Sequence, residues 1–288
     1  VKIAFRADDQ PPVDALRVGG QADVLVYTSR ALVTGVDADA SLGIARTVST
    51  AVIDVVRAAL DLLSQGRHEQ DLVCTRLLVT AGPTHEAIDP VRCLTNHSSG
   101  KMGYAIAKMA MLRGAEVTLV SGPTAIEPPL FVKVVPVTSA RDMFEAVTGL
   151  SDEQDIIIKA AAVADYRPKQ VSEDKVKKKD DQASIELERT DDILKYLGQH
   201  KKQGQFLCGF SMETQNVIDN SRAKLAKKNL DMVAANNVKV EGAGFQGDTN
   251  VLTLITQDEE ISLPLMSKED AAFRILDKIL SLMQDSVC

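Results

Sequence analysis

The chain lacks several features that would indicate a function at once. No apolar run approaches the roughly 18 residues that cross a bilayer, and no signal-peptide pattern stands at the start of the sequence. We therefore expect a cytoplasmic protein that does not bind a membrane. Its four cysteines, Cys74, Cys93, Cys208 and Cys288, form no CxxC pair and no zinc-type spacing with histidine. We interpret them as reduced thiols, as in cytosolic proteins.

Charge and histidine spacing exclude two further classes of protein. The net charge of −7 argues against a protein that binds nucleic acid non-specifically. An anionic ligand must therefore be held by clustered cations and backbone amides. The histidines, His68, His85, His97 and His200, show neither metal-site nor triad spacing, and no serine lies in a GxSxG elbow. We do not expect histidine-based hydrolysis.

From residue 76 onward, short apolar runs alternate with amphipathic segments. The predicted strands of the first half are 76–81, 116–121, 132–137 and 155–162, and the predicted helices are 100–112 and 139–150, with Ser139 as N-cap of the second. This order predicts an α/β fold, a doubly wound and mostly parallel sheet with helices on both faces. Two final strands around the turn Asp258–Glu260 and a helix at about 268–283 predict a C-terminal β-hairpin plus helix.

The segment Asn96–Gly103, NHSSGKMG, leads directly into the first predicted helix. Unpaired N–H groups and the helix dipole at such an N-terminus favour an anion. It is not a P-loop, because Thr95 and Met102 occupy positions that the motif reserves for glycine and for serine or threonine. We predict a phosphate or substrate loop made of Gly82, Ser98, Ser99, Gly100 and Lys101.

The segment Gly242–Gly247, GAGFQG, matches the dinucleotide-binding pattern GxGxxG. That motif joins a strand to a helix, whereas here an apolar run typical of a strand, VLTLIT, follows. We therefore interpret GAGFQG as a glycine-rich loop. An oxidoreductase of the NAD type remains an alternative.

A lysine-rich segment, Lys175–Lys179, follows Asp165. Lysine runs are usually solvated, but a loop of this kind at the end of a strand can close over a polyphosphate. Lys224, Lys227 and Lys228 are further candidate cations, and Asp165 is either a ligand of Mg²⁺ or the cap of a turn. The residues alone indicate a polyphosphate-binding α/β enzyme, with a non-catalytic nucleotide-binding module as the alternative.

A more specific resemblance comes from eight segments in chain order: LLVTAGPTHEAIDPVRCLTNHSSGKMGYAIA, VTLVSGPT, AAAVADYRP, KVKKK, GFSMET, KLAKKNLDMVAAN, GAGF and LPLMSK. Together they resemble phosphopantothenate–cysteine ligase, the second half of the bacterial bifunctional coenzyme A biosynthesis protein. That family is Rossmann-like and dimeric. The resemblance implies a ligase domain at 73–288 and a homodimer.

The resemblance also implies an activity, the joining of 4′-phosphopantothenate to cysteine with CTP and Mg²⁺. The carboxylate attacks the α-phosphate of CTP and releases pyrophosphate, and the cysteine amine then displaces CMP from the acyl-cytidylate. Asn96, Arg92 and Lys175 are the implied catalytic residues, with Asn96 acting on the acyl-cytidylate. The implied nucleotide-binding residues are Lys159, Ala160, Ala161, Asp165, Lys175, Asp191, Asp192, Ile193, Leu194, Phe210, Lys224 and Lys228.

The sequence departs from the family in three places. The family often has proline before Asp192, where this chain has Asp191, and an acid where this chain has Asn237. In bifunctional relatives a flavin-dependent decarboxylase precedes the ligase, but its active-site histidine and cysteine motif have no counterpart in residues 1–72. That region is either a remnant of such a domain or an unrelated extension. We expect this chain to bind no flavin.

Overall fold

The computed structural model describes residues 70–177, 184–213, 216–237 and 247–285. The expectations for residues 1–69 and for most of the GAGFQG segment lie outside the described residues. The helices are α1 (Lys101–Leu112), α2 (Ala140–Leu150), α3 (Ile193–Gln199), α4 (Val217–Lys227) and α5 (Lys268–Asp285). The strands are β1 (Arg76–Ala81), β2 (His85–Ala87), β3 (Cys93–Thr95), β4 (Glu116–Ser121), β5 (Lys133–Pro136), β6 (Ile156–Lys159), β7 (Tyr166–Pro168), β8 (Leu187–Arg189), β9 (Phe206–Glu213), β10 (Met232–Asn237), β11 (Thr249–Asn250), β12 (Leu252–Ile255), β13 (Glu260–Ser262) and β14 (Met266–Ser267).

Among the described residues, eight strands form one sheet in the order β13-β12-β10-β9-β6-β1-β4-β5. The strands from β10 to β5 are parallel, and β12 and β13 add an antiparallel edge. From the β5 edge the parallel strands run 3-2-1-4-5-6 in chain order, which is the Rossmann order. The strand order reverses between β1 and β6, and ligands of such sheets bind outside the carboxyl ends at that reversal. The predicted α/β fold with its C-terminal hairpin and helix is confirmed.

The central strands are buried on both faces, which explains their near-continuous apolar sequences. Leu77, Leu78 and Val79 of β1 and residues 156–158 of β6 have no exposed surface. On one face α1 packs against β1, β4 and α5. On the other, Leu78 belongs to a core that includes side chains of α2 and α3. Each fully buried aliphatic side chain contributes about 1.5–3 kcal/mol, so these two layers account for the position of the central strands.

The start of α2 follows the sequence prediction closely. Ser139 is the N-cap, and its Oγ accepts a hydrogen bond from Asp142 N (3.1 Å). The Asp142 carboxylate in turn accepts one from Ser139 N (2.8 Å), which completes a capping box. Such a cap typically contributes about 1 kcal/mol, and it can be recognised from a few neighbouring residues.

The sequence analysis missed α3 and three two-stranded ribbons, β2–β3, β7–β8 and β11–β14. Strands of two or three residues are too short to show a periodicity. The sequence of 167–184 shows no helical or strand period, and the ribbon β7–β8 corrects that interpretation because Arg167 and Pro168 lie in a strand. The segment 214–229, TQNVIDNSRAKLAKKN, predicts one long helix, and α4 occupies Val217–Lys227 of it.

Gly103 and Gly149 form a matched pair for testing helix–sheet packing. A Cβ atom on Gly103 would lie 2.6 Å from Ala81 Cβ, whereas nothing lies within 4 Å of a Cβ atom on Gly149. We expect Gly103→Ala to lower the free energy of unfolding by about 1–3 kcal/mol, since overpacking outweighs the better helix propensity. Gly149→Ala should raise it by up to about 1 kcal/mol. Urea titration measures both, and two changes of the same sign would contradict this account of the packing.

Candidate active site

The segments that follow β1 and β6 are tied together where the strand order reverses. Ala162 N donates a hydrogen bond to Gly82 O (3.0 Å), and Thr84 N donates one to Ala162 O (3.3 Å). Ala161 N donates to Thr80 Oγ1 (3.1 Å). These bonds hold the two segments in one geometry at the position where a ligand of a doubly wound sheet binds.

Asn96 lies beside this junction. Its Nδ2 donates a hydrogen bond to Ala162 O (2.8 Å), although the residue is otherwise exposed. The preceding residue, Thr95, donates from Oγ1 to Thr84 O (2.9 Å). The loop before α1 is therefore fixed to the segments after both β1 and β6, and the Asn96 amide lies next to the predicted nucleotide-binding residues 159–161.

The predicted phosphate loop is a close-packed turn at the start of α1. Gly82 and Gly100 have φ angles of +78° and +81°, and a Cβ atom on either would lie within 2.9 Å of Thr124 Cγ2. A Cβ atom on Gly100 would also lie 3.2 Å from Gly82 N, so the two glycines are neighbours in space. The N-cap of α1 is Gly100, which offers no side-chain hydrogen bond. The two glycines let the turn close against Thr124 and against its own backbone, and a helix N-terminus of this kind favours an anion.

The polar side chains of this loop have partners within the protein. Ser98 Oγ accepts a hydrogen bond from Gly100 N (3.3 Å), and Ser99 Oγ accepts a longer one from Lys101 N (3.5 Å). The Lys101 ammonium pairs with the exposed carboxylate of Asp248 (2.6 Å). The structure thus brings the five predicted loop residues together, with the Lys101 charge partly balanced by an acid.

A cavity of about 380 Å³ lies beside the carboxyl end of β6. The predicted nucleotide-binding residues that line it are Lys159, Asp165, Asp191, Asp192, Ile193, Leu194, Lys224 and Lys228. Lys224 Nζ donates a hydrogen bond to Phe210 O (2.7 Å), so Phe210 borders the cavity without lining it. Ala160 and Ala161 are also outside the lining, although they continue from β6 directly beside Lys159.

Lys159 is the most perturbed base of the cavity. Burial and, to a lesser extent, the positive charge of Lys224 lower the pKa of its ammonium to about 8, although the Asp165 carboxylate opposes the shift. The side chain is only half-buried by area because it faces the cavity, yet protein atoms surround it closely. Within the described part of the chain no carboxylate forms an ion pair with Lys159. An anion in the cavity would favour the charged ammonium and raise this pKa.

Asp192 has a structural role as well as its place in the cavity wall. It is the N-cap of α3 and accepts a hydrogen bond from Lys195 N (2.9 Å). The Lys228 ammonium also pairs with the Asp192 carboxylate, and burial lowers the pKa of Lys228. Asp192 therefore offsets the charge of one lysine, whereas Lys159 and Lys224 share the cavity wall with the carboxylates of Asp165 and Asp191.

Arg92 and Lys175 lie together, but neither lines the cavity. The Arg92 guanidinium pairs with the buried carboxylate of Asp89 (2.5 Å) and donates a hydrogen bond to Val176 O (2.9 Å). Val176 N donates to the same carboxylate (3.1 Å). Hydrogen bonds from Arg92 hold the pKa of Asp89 well below its usual range. Asp89 therefore links the Arg92 loop to the segment that carries Lys175.

The cavity has lining residues that the sequence did not indicate, namely Val163, Ala164, Tyr166, Arg189 and Thr190. They surround the base of the ribbon β7–β8, whose pairing has no signature in so short a stretch. Among the residues that the structure describes, no group of three or more histidine, cysteine or acidic side chains is arranged to hold a metal. In the same part of the chain, no helix is long and apolar enough to cross a bilayer.

The fold and the cavity define the class: a Rossmann-like α/β protein with a lysine-lined cavity where the strand order reverses. Residues 72–283 match the family described as DNA/pantothenate metabolism flavoprotein C-terminal domain, and the chain belongs to this family. The resemblance found in the sequence motifs, to the ligase half of the bifunctional protein, is thereby confirmed.

Individual relatives agree with this assignment. The coenzyme A biosynthesis bifunctional protein CoaBC of Bacillus subtilis is 51% identical over 212 residues, which are 73% of this chain and 52% of that protein. The chain thus spans about half the length of the curated relatives it matches. A crystal structure of the C-terminal domain of CoaBC is 49% identical, with a TM-score of 0.65 over 75% of this chain and 100% of that domain. A Cab2 mutant in complex with phosphopantothenate-cysteine shares the fold at 14% identity, with a TM-score of 0.63 over 74% of this chain and 87% of that protein.

Proposed function

We propose that this chain catalyses the CTP-dependent ligation of 4′-phosphopantothenate to cysteine in coenzyme A biosynthesis. The products are 4′-phosphopantothenoylcysteine, CMP and pyrophosphate. The observation that carries the proposal is the convergence of Lys159, Lys224 and Lys228 on one cavity at the reversal of strand order. Membership of the family, and the role of the relatives in coenzyme A biosynthesis, support the same conclusion.

In the first step the substrate carboxylate attacks the α-phosphate of CTP, and the bond to the β-phosphate breaks as pyrophosphate leaves. Negative charge develops on the phosphate oxygens, and preorganised cations in a partly dehydrated cavity stabilise it. Lys159 suits this task, because its ammonium is already desolvated and approaching phosphates restore its charged form. Lys224 on the next crossover helix, α4, and Lys228 at its C-cap add charge.

Mg²⁺ would reach this site with the nucleotide. The cation commonly binds through one or two carboxylates together with substrate phosphates, and it keeps several waters. Asp165 is exposed and lines the cavity, so it fits such a ligand. When bound, the metal would neutralise charge on the triphosphate, and we propose Asp165 as the residue that holds it.

In the second step the cysteine amine attacks the acyl carbon, the C–N bond forms, and CMP leaves with the electrons of the C–O bond. Asn96 is fixed by its bond to Ala162 O, next to the strand end that carries the nucleotide residues. We propose that its amide orients the acyl-cytidylate for this attack. Arg92 and Lys175, on the segments joined through Asp89, are proposed to act in the same reaction from outside the cavity lining.

Incubating the protein with CTP, Mg²⁺, 4′-phosphopantothenate and cysteine tests the proposal. We expect pyrophosphate and CMP to be released in equal amounts and the amide product to be detected by mass spectrometry. ATP serves as the comparison nucleotide. CTP binding without turnover would instead indicate a non-catalytic nucleotide-binding module. An oxidoreductase of the NAD type is disfavoured because the strands β11 and β12, not a helix, follow the GAGFQG segment.

Two further properties belong to this proposal. We propose a homodimer in the cytoplasm, in line with the reduced cysteines expected from the sequence. Light scattering at micromolar protein measures the oligomeric state, and a monomer that ligates at the full rate would refute the dimer as the functional unit.

A further inference from the structure

Two side chains at the base of the ribbon β7–β8 line the cavity, and the proposed reaction does not use them. Tyr166 and Arg189 are cross-strand partners, the first residue of β7 and the last of β8. Both are exposed, and both contribute to the cavity wall. The Arg189 guanidinium carbon lies 5.9 Å from the centre of the Tyr166 ring, at the outer limit of a cation–π contact.

The backbone at this position is held firmly. The next residue, Thr190, donates from N to Asp165 O (3.1 Å) and from Oγ1 to Ala164 O (2.6 Å). Both acceptors belong to the segment that follows β6 and lines the cavity. The Cα atom of Arg189 is therefore fixed relative to the cavity, and only its side chain has freedom to turn.

The other cations of the ribbon differ from Arg189 in their partners. Arg167 pairs with Glu188 (2.8 Å) and Lys169 with Glu186 (3.5 Å) across the two strands. Within the described ranges Arg189 forms no ion pair with a carboxylate. Its planar guanidinium therefore keeps its donors for a ligand, and two parallel N–H groups match the spacing of phosphate oxygens.

We propose that Arg189 is a further binding residue of the nucleotide site, which donates hydrogen bonds to the phosphate chain of the bound nucleoside triphosphate. Phosphate is the group that fits here, because Arg189 shares its cavity with Lys159, Lys224 and Lys228. The contact with Tyr166 is weak enough for the side chain to turn toward a ligand. The inference rests on the proposed function in taking CTP as the nucleotide.

Calorimetric titration of the intact chain with CTP, CMP and cytidine in Mg²⁺ buffer tests this inference. We expect Arg189→Gln to weaken CTP binding about tenfold, because the variant loses a charge-assisted hydrogen bond. The same substitution should leave cytidine binding almost unchanged, because cytidine has no phosphate. Arg189→Lys should recover part of the affinity, since it keeps the charge but not the fork. Arg167→Gln is the matched control, and its CTP affinity should stay within about twofold of the wild type because that arginine does not line the cavity.

The possible outcomes separate the role of Arg189 in binding from the proposed ligation. Equal CTP affinity of Arg189→Gln and the wild type would overturn the role of Arg189, and so would equal losses of CTP and cytidine, which would indicate a contact to the nucleoside. A wild-type protein that binds CTP but releases no pyrophosphate would refute the proposed ligation and leave Arg189 to be judged by its binding data. A wild type that binds no CTP would overturn both.

Discussion

Asn96→Asp should stop the proposed reaction after its first step. The variant should release about one pyrophosphate per site from CTP and 4′-phosphopantothenate, yet form amide product about 10²–10³-fold more slowly. The reason is that Asn96 Nδ2 donates to Ala162 O at 2.8 Å, and aspartate has no hydrogen to donate. Its carboxylate would also face a carbonyl oxygen and the phosphate of the acyl-cytidylate. Rapid quenching followed by mass spectrometry measures the accumulated intermediate.

Asn229→Asp is the matched control for this substitution. Asn229 Nδ2 also donates to a backbone carbonyl, Gly198 O at 2.8 Å, and the residue does not line the cavity. It should therefore lose a similar hydrogen bond without a block between the two steps. Product formation by Asn96→Asp at the wild-type rate would remove the proposed role of Asn96. Loss of all CTP binding would make it a residue of the nucleotide site or of folding.

Lys159→Met should weaken CTP binding about 10–100-fold near neutral pH, as expected for the loss of a desolvated charged hydrogen bond. Burial holds the pKa of Lys159 at about 8 in the free protein, and a bound phosphate would raise it. Wild-type CTP binding should therefore take up a proton near pH 8 and weaken above it, by up to about tenfold per pH unit. Titration in buffers of different ionisation enthalpy measures the proton uptake.

The same pKa also predicts how stability depends on pH. Because the pKa of Lys159 is about 8 in the folded protein and 10.5 ordinarily, the unfolded chain binds more protons between these values. The free energy of unfolding of the wild type should thus rise, relative to Lys159→Met, as the pH increases from about 8 to 10.5. Lys227→Met, on an exposed lysine outside the cavity wall, is the control. A pH dependence of CTP affinity that persists in Lys159→Met would assign it to another group.

Several features of this protein can be predicted from short stretches of its sequence, because they depend only on neighbouring residues. The apolar sequence of β1 and the N-cap Ser139 can each be recognised from a few consecutive residues, and the structure contains both the strand and the capped helix. The glycine-containing turn before α1 can also be recognised from the sequence. A turn that leads into a helix leaves unpaired backbone amides, and this does not depend on the rest of the chain. The parallel sheet followed from strands that are apolar on both faces.

Only the tertiary structure decided which distant side chains share a site. Lys159 ends β6, whereas Lys224 lies on α4 and Lys228 is the C-cap of that helix. The three lysines line one cavity because the crossover helix after β9 packs beside the end of β6. The ribbon β7–β8 aligns Arg189 with Tyr166 through a register that three-residue strands do not encode on their own. The low pKa of Lys159 has the same origin, since desolvation depends on what packs around the ammonium and not on its neighbours in sequence.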